Sequence, residues 1–156
     1  MADPLITHIH QPLDWKQAIH WMVDPFFQNG LTTIEYEKSI MDQFEQHGPY
    51  CILRPGMALI HGPVSDQIQA TGVHIAVCDT PVFFDGCQEA VYFLIGLCAP
   101  DKEQYLKLIT ILAPLLRRCY TAAYLSSLSD SQLLEHFAPL KPLLTDLNGC
   151  LHPLNP

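Results

Sequence analysis

The sequence predicts an α/β fold, a single layered α/β/α domain with a central mixed sheet flanked by helices. Three observations carry this expectation. Helical patterns stand at both ends of the core. Short apolar runs bounded by Gly and Pro fill its middle. Residues 90–99 are apolar almost throughout, as a central strand covered on both faces must be. The 156 residues suit one domain. It is expected to span 1–156, with its core at about 14–137 and loose tails on either side.

The elements follow in order. The first ten residues read as a tail. Asp14 offers an N-cap and Gln17 completes a capping box, while Trp15, Ala18, Ile19 and Met22 recur with helical spacing along one apolar face. Pro25 and Gly30 are expected to end that helix. A second helix is expected from Thr33, with Glu35 and Glu37 favoured by the dipole of its first turn. Tyr36, Ile40 and Phe44 line its inner face, and Gly48-Pro49 stops it. Residues 50–53 and 57–60 are apolar runs around an Arg54-Pro55-Gly56 turn, and His61-Gly62-Pro63 closes the second. Residues 73–78 read as a strand closed by Asp79-Thr80-Pro81. After the strand at 90–99 comes a long helix over 102–118, whose Pro114 is expected to kink or end it. Ser129 and Gln132 cap a last short helix that reaches Phe137.

Composition narrows the function. Hydrophobic residues make up 49% and charged residues 15%, which is the balance of a packed globular chain. Eight basic against 16 acidic residues leave a net charge of −8. Nucleic acid and anionic lipid both need clustered Lys and Arg, so neither is an expected partner, whereas a basic protein is. The longest apolar run, 90–100, is about half of what a spanning helix needs. With no secretory pattern in the first ten residues, a cytoplasmic location is expected. Six cysteines without CxxC spacing read as reduced thiols that pack as small hydrophobes, neither paired nor metal-ligating. No cofactor is implied.

The eight histidines separate by context. His8 and His10 fall in the tail as a solvated H-x-H pair, which alone is a weak metal signal. His20 and His136 lie on helices, His47 precedes a helix-stopping Gly, and His152 lies in a Pro-rich tail. None of these has the spacing of a zinc module, so no metal site is expected. His61 follows an apolar strand and precedes Gly62, at a strand end where ligands of α/β sheets gather.

The segment Gly48-Pro49-Tyr50 through Arg54-Pro55-Gly56-Met57-Ala58-Leu59-Ile60-His61-Gly62 resembles the active-site segment of the mannitol/fructose/ascorbate-type enzyme IIA domains of the bacterial sugar phosphotransferase system. The likeness continues in order through Trp15-Lys16-Gln17-Ala18-Ile19, Thr71-Gly72, Pro81-Val82-Phe83-Phe84 and the strand–helix block ending at Leu116, covering roughly 14–137. The Gly-Pro-Tyr opening is more similar to the ascorbate-type branch, and to the enzyme IIA-like tails of some transcriptional regulators, than to the mannitol branch. The resemblance implies a phosphohistidine carrier. His61 would accept a phosphoryl group from the phosphocarrier protein HPr and pass it to an enzyme IIB, with the membrane reached only through a permease. The alternative it carries is a regulatory module, or a member without transfer activity.

That chemistry suits a histidine. A neutral imidazole is nucleophilic near neutral pH, and phosphoryl transfer is largely a matter of positioning and charge stabilisation. Gly62 is expected to offer backbone donors to the phosphoryl group. His74, on the strand opening at Thr71-Gly72, is expected to support or orient His61 if the two strands are neighbours. Tyr105 stands where mannitol-type members have a second histidine, and its hydroxyl is a candidate donor. Ile60 replaces the usual Pro, and Pro63 lies where many relatives carry Arg nearby. Arg54, in its turn, is expected to face solvent.

Overall fold

A computed structural model describes residues 4–65, 67–117 and 122–143. The chain runs β1 (Leu5–Ile9), α1 (Trp15–Gln28), α2 (Glu35–His47), β2 (Ile52–Arg54), β3 (Met57–His61), β4 (Gly72–Phe83), β5 (Ala90–Cys98), α3 (Lys102–Arg117), α4 (Ala122–Ser126) and α5 (Asp130–Phe137). The five strands form one mixed sheet in the order β1-β4-β5-β3-β2. β1 is parallel to β4 and β3 to β5, while β4–β5 and β2–β3 are antiparallel. The apolar run at 90–99 is thus the central strand, as expected.

Side-chain alternation divides the core into two layers. On one face Ala58, Ile60, Ala76, Cys78 and Leu94 pack beneath α1 and α2. On the other Met57, Leu59, Val73, Ile75, Val77, Phe93, Ile95 and Leu97 pack beneath α3, α4 and α5. This is the α/β/α layering read from the sequence.

Local signals set the helix boundaries. Asp14 and Ser129 each accept from the backbone N–H three residues on, and Gln17 and Gln132 reach back to the cap N–H, so both capping boxes form. Gly48 ends α2 at φ 73°, in the left-handed region that side chains disfavour. Pro25 and Pro114 lie inside α1 and α3. Packing of the buried faces carries each helix past the missing N–H, so Pro25 does not mark the end of α1. Residues 118–121 and the C-terminal tail from 144 onward, with His152, lie outside the described residues.

Two expectations are corrected. Residues 5–9 are not a loose tail. They form edge strand β1, with Leu5 opposite His74 and Ile9 opposite Cys78, and Ile9 is buried. Its alternation is masked because His8 occupies an inward position. Asp79-Thr80-Pro81 does not close its strand either. β4 continues to Phe83, and the register slips between Val77, opposite Phe93, and Val82, opposite Val91. The turn residues are absorbed as a bulge, which bends the strand and re-aims its side chains.

Among the described residues His74 is the buried histidine, 1% exposed. It faces α1, with Nδ1 3.0 Å from the Met22 carbonyl and Nε2 2.8 Å from Thr7 Oγ1. A proton on Nδ1 satisfies the carbonyl, and the Thr7 hydroxyl then donates to Nε2. Burial lowers its pKa from 6.5 to about 4. A histidine neutral in the folded state and protonated in the unfolded one stabilises the fold above pH 6.5, and that stability is lost as pH falls toward 4. The loss amounts to about 3 kcal/mol at one pKa unit per 1.36 kcal/mol. Urea unfolding of wild type and His74→Gln between pH 7 and 4 should show a shallower decline in the variant.

Candidate functional site

The C-terminal ends of β3 and β5 lie side by side, with His61 opposite Leu97. Met57 and Leu59 face α3, so alternation turns His61 the same way. Its half-buried ring lies between two aromatic rings. Tyr105, one turn into α3, is 5.5 Å away between ring centroids, and Tyr50 meets it edge-on at 6.0 Å. The structure thus places Tyr105 beside His61.

The peptide unit that follows His61 is held from both sides. The Tyr50 hydroxyl donates to the His61 carbonyl at 2.9 Å. The Gly62 N–H donates to Tyr36 Oη at 2.8 Å, and that hydroxyl donates onward to the Leu97 carbonyl at 2.7 Å. Burial raises the pKa of both tyrosines, that of Tyr50 to about 12, so both hydroxyls keep the proton they donate. Gly62 is required sterically, because a Cβ there would lie 2.8 Å from Tyr36 Cε1 and 3.2 Å from Ile40 Cγ1.

Burial also lowers the His61 pKa, against a weaker opposing pull from the Gly62 carbonyl. Nδ1 faces that carbonyl at 3.4 Å. The contact is long, but it favours the proton on Nδ1 and leaves the Nε2 lone pair available. The result is a neutral imidazole with its unprotonated nitrogen away from its own backbone. The Tyr105 hydroxyl has no hydrogen-bond partner among the described residues, and partial burial raises its pKa. It is a donor held in reserve beside the ring.

Two site expectations do not survive. His74 cannot support or orient His61. β5 separates their strands, and His74 faces α1 while His61 faces α3. The Gly62 N–H is already given to Tyr36, so it is no donor for a phosphoryl group. Tyr36 and Tyr50 were visible in the sequence only as a helix-face residue and part of a motif. The signal for their role was their aromatic hydroxyls flanking the strand pair that delivers His61. Ile60 pairs with Gly96 and is fully buried, so it is an ordinary strand residue of β3. Pro63 is exposed. Arg54 is not solvent-directed, since its Nη1 donates to the Arg117 carbonyl at 2.9 Å and caps α3. Cys51, Cys78, Cys87 and Cys98 are free thiols, and burial lifts Cys51, Cys78 and Cys98 to about 12, which makes them poor nucleophiles.

The clamp has a measurable cost of removal. Tyr36→Phe leaves a buried N–H and a buried carbonyl without their shared partner, which should cost about 1–3 kcal/mol in urea unfolding. Gly62→Ala should be at least as damaging, since the new methyl displaces the Tyr36 ring. Tyr50→Phe, at a more exposed hydroxyl, should cost less than Tyr36→Phe.

Known proteins share this fold. The family model described as "Phosphoenolpyruvate-dependent sugar phosphotransferase system, EIIA 2" matches residues 3–137. The mannitol-specific cryptic phosphotransferase enzyme IIA component of Escherichia coli is 32% identical over 111 residues, 71% of this chain and 76% of that protein. The solution structure of the Escherichia coli protein described in those words superposes with a TM-score of 0.71 at 29% identity, covering 83% of this chain and 89% of the other. An ascorbate-specific EIIA component of Mycoplasma pneumoniae is 33% identical over 94 residues, 60% of this chain and 59% of that protein. The fold, at 22% identity and a TM-score of 0.70, is also that of the enzyme IIA in an Escherichia coli complex of mannitol enzyme IIA with phosphorylated enzyme IIB, over 86% of this chain and 94% of that one. Relatives thus fall on both the mannitol and the ascorbate branches. With the family pattern matched across nearly all of the described core, the chain belongs to the enzyme IIA type-2 family of the phosphoenolpyruvate-dependent sugar phosphotransferase system.

Proposed function

We propose that this enzyme IIA component carries a phosphoryl group on His61 Nε2, accepting it from HPr and passing it to an enzyme IIB. The observation that supports this reading is the neutral strand-end imidazole, its Nδ1 turned to the Gly62 carbonyl and its following peptide fixed by Tyr36 and Tyr50. In the first transfer the Nε2 lone pair forms the new N–P bond as the bond from phosphorus to the donor's histidine breaks. That electron pair returns to the donor nitrogen. The second transfer reverses these roles, with the nucleophile of enzyme IIB attacking phosphorus and the lone pair returning to His61. Fixing the ring before encounter removes orientational entropy from each step. The Tyr105 hydroxyl is placed to donate to a phosphoryl oxygen. An enzyme IIB acceptor is supported by the Escherichia coli complex of the same fold. The net charge of −8 suits docking with a basic donor. We assign no sugar.

Incubation with phosphoenolpyruvate, enzyme I and HPr should add one phosphoryl group by intact mass, stable in alkali and lost in acid. His61→Gln should abolish the adduct while retaining the fold. An adduct that persists in this variant would overturn the assignment, and absence of any adduct in wild type would favour a member that only signals. Tyr105→Phe should slow transfer by no more than roughly 10²-fold, the ceiling for one stabilising donor. Because burial lowers the His61 pKa, the acid limb of the acceptance rate should have its midpoint below 6.5.

A further inference from the structure

A second group of histidines gathers at the other end of the sheet. His8 and His10 project from the same face of β1, and the bulge in β4 turns Asp79 toward them. His8 Nε2 lies 2.5 Å from Asp79 Oδ1, and His10 Nδ1 lies 2.8 Å from Asp79 Oδ2. The two imidazoles stack with centroids 4.1 Å apart. Asp130, the first residue of α5, stands on their far side, with Oδ1 3.6 Å from both His8 Nδ1 and His10 Nε2. One carboxylate therefore faces the inner nitrogen of each ring and a second faces the outer one.

His10 is solvated as expected, its side chain 59% exposed, but His8 is not. The His8 side chain is 2% exposed, and its Nδ1 is buried without a hydrogen-bond partner. An orphaned buried nitrogen is costly unless something completes its surroundings. A metal ion does so. Coordination through His8 Nε2 fixes the proton on Nδ1, and that N–H then points at the Asp130 carboxylate 3.6 Å away, a favourable charge contact that a small rotation shortens to a hydrogen bond. His10 repeats the pattern with its nitrogens exchanged. A metal-bound histidine whose other N–H meets a carboxylate is the usual outer-shell arrangement of zinc sites.

From this geometry we propose that His8 Nε2, His10 Nδ1 and the Asp79 carboxylate bind one divalent transition-metal ion, best satisfied by Zn²⁺, with Asp130 holding both rings from behind. The three donor groups already lie within 4.8 Å of one another. Tetrahedral zinc, with bonds of about 2.0–2.1 Å, draws donors to about 3.3 Å apart, a change that small side-chain rotations supply. Two imidazoles and one carboxylate suit Zn²⁺ better than Mg²⁺ or Ca²⁺, which take oxygen donors. Three protein ligands leave a fourth position for water. The site ties β1, β4 and α5 together. It is remote from phosphoryl transfer, because Val73 of β4 is level with His61 and Asp79 lies six residues further along, about 20 Å at strand rise.

The test is titration of the metal-free full chain with Zn²⁺ by calorimetry, and with Co²⁺ followed by visible absorption. Wild type should bind one equivalent. The Co²⁺ spectrum should have four-coordinate intensity and lack a thiolate charge-transfer band, which excludes the cysteines. His10→Ala and Asp79→Asn should each weaken binding by at least about tenfold, and Asp130→Asn by about tenfold through the lost outer-shell acceptor. His20→Ala, which removes an exposed histidine bonded to Glu37 elsewhere, should leave affinity unchanged. Zn²⁺ should raise the Tm of wild type but not of His10→Ala. Failure of the wild type to take up zinc, or equal affinity in His10→Ala and Asp79→Asn, would overturn the proposal. Neither result bears on His61.

Discussion

One peptide unit, between His61 and Gly62, organises the end of the sheet where β3 and β5 finish side by side. Both of its polar groups are bonded to tyrosine hydroxyls, and one of those hydroxyls continues to the Leu97 carbonyl. Through that single oxygen α2 is joined to the ends of β3 and β5. A strand end ordinarily frays into a loop, because its last N–H and C=O groups run out of ladder partners. Here the partners come from side chains, so His61 ends in fixed backbone. The absence of a side chain at Gly62 is what lets the Tyr36 ring come close enough to provide them.

Burial acts on the histidines in two ways that chemistry keeps apart. At His74 it is complete, both ring nitrogens are bonded, and the side chain is a strut between sheet and α1. At His61 it is partial. It is enough to favour the neutral ring and leaves the side chain only half-buried. The same desolvation keeps both rings neutral, one with both nitrogens bonded and one only partly enclosed. The difference lies in which face of the sheet each side chain leaves.

Much of this was legible in the sequence where the signal was local. Asp14 with Gln17 and Ser129 with Gln132 announce their helices within four residues, and the uninterrupted apolar run of β5 announces a central strand. His61 was legible as a strand-end histidine in a family motif. What escaped was non-local. β1 reads as a polar tail because Thr7, His8 and His10 find their partners near residues 74–79 and 130, which no window of sequence joins. The placement of His74 depended on strand order, and inserting β5 between two strands reverses the inference. Asp79-Thr80-Pro81 has turn composition, yet pairing on both sides of it holds the strand together and leaves a bulge. The tyrosine clamp escaped because a hydroxyl at the end of an otherwise apolar ring looks, in sequence, like one more core aromatic.

The parallel pairing of β1 with β4 has a consequence for assembly. Leu5 meets His74 across 68 intervening positions, and the first strand has no strand neighbour until α1, α2, β2, β3 and much of β4 exist. Contacts of such sequence separation carry a large loop-closure cost and form late. Until β1 docks, the outer edge of β4 presents a row of unpaired N–H and carbonyl groups, the feature by which unfinished sheets recruit strands from other chains. The vulnerable interval in the life of this protein is therefore the wait for five residues at its beginning, and whatever speeds their docking protects the chain from its own copies.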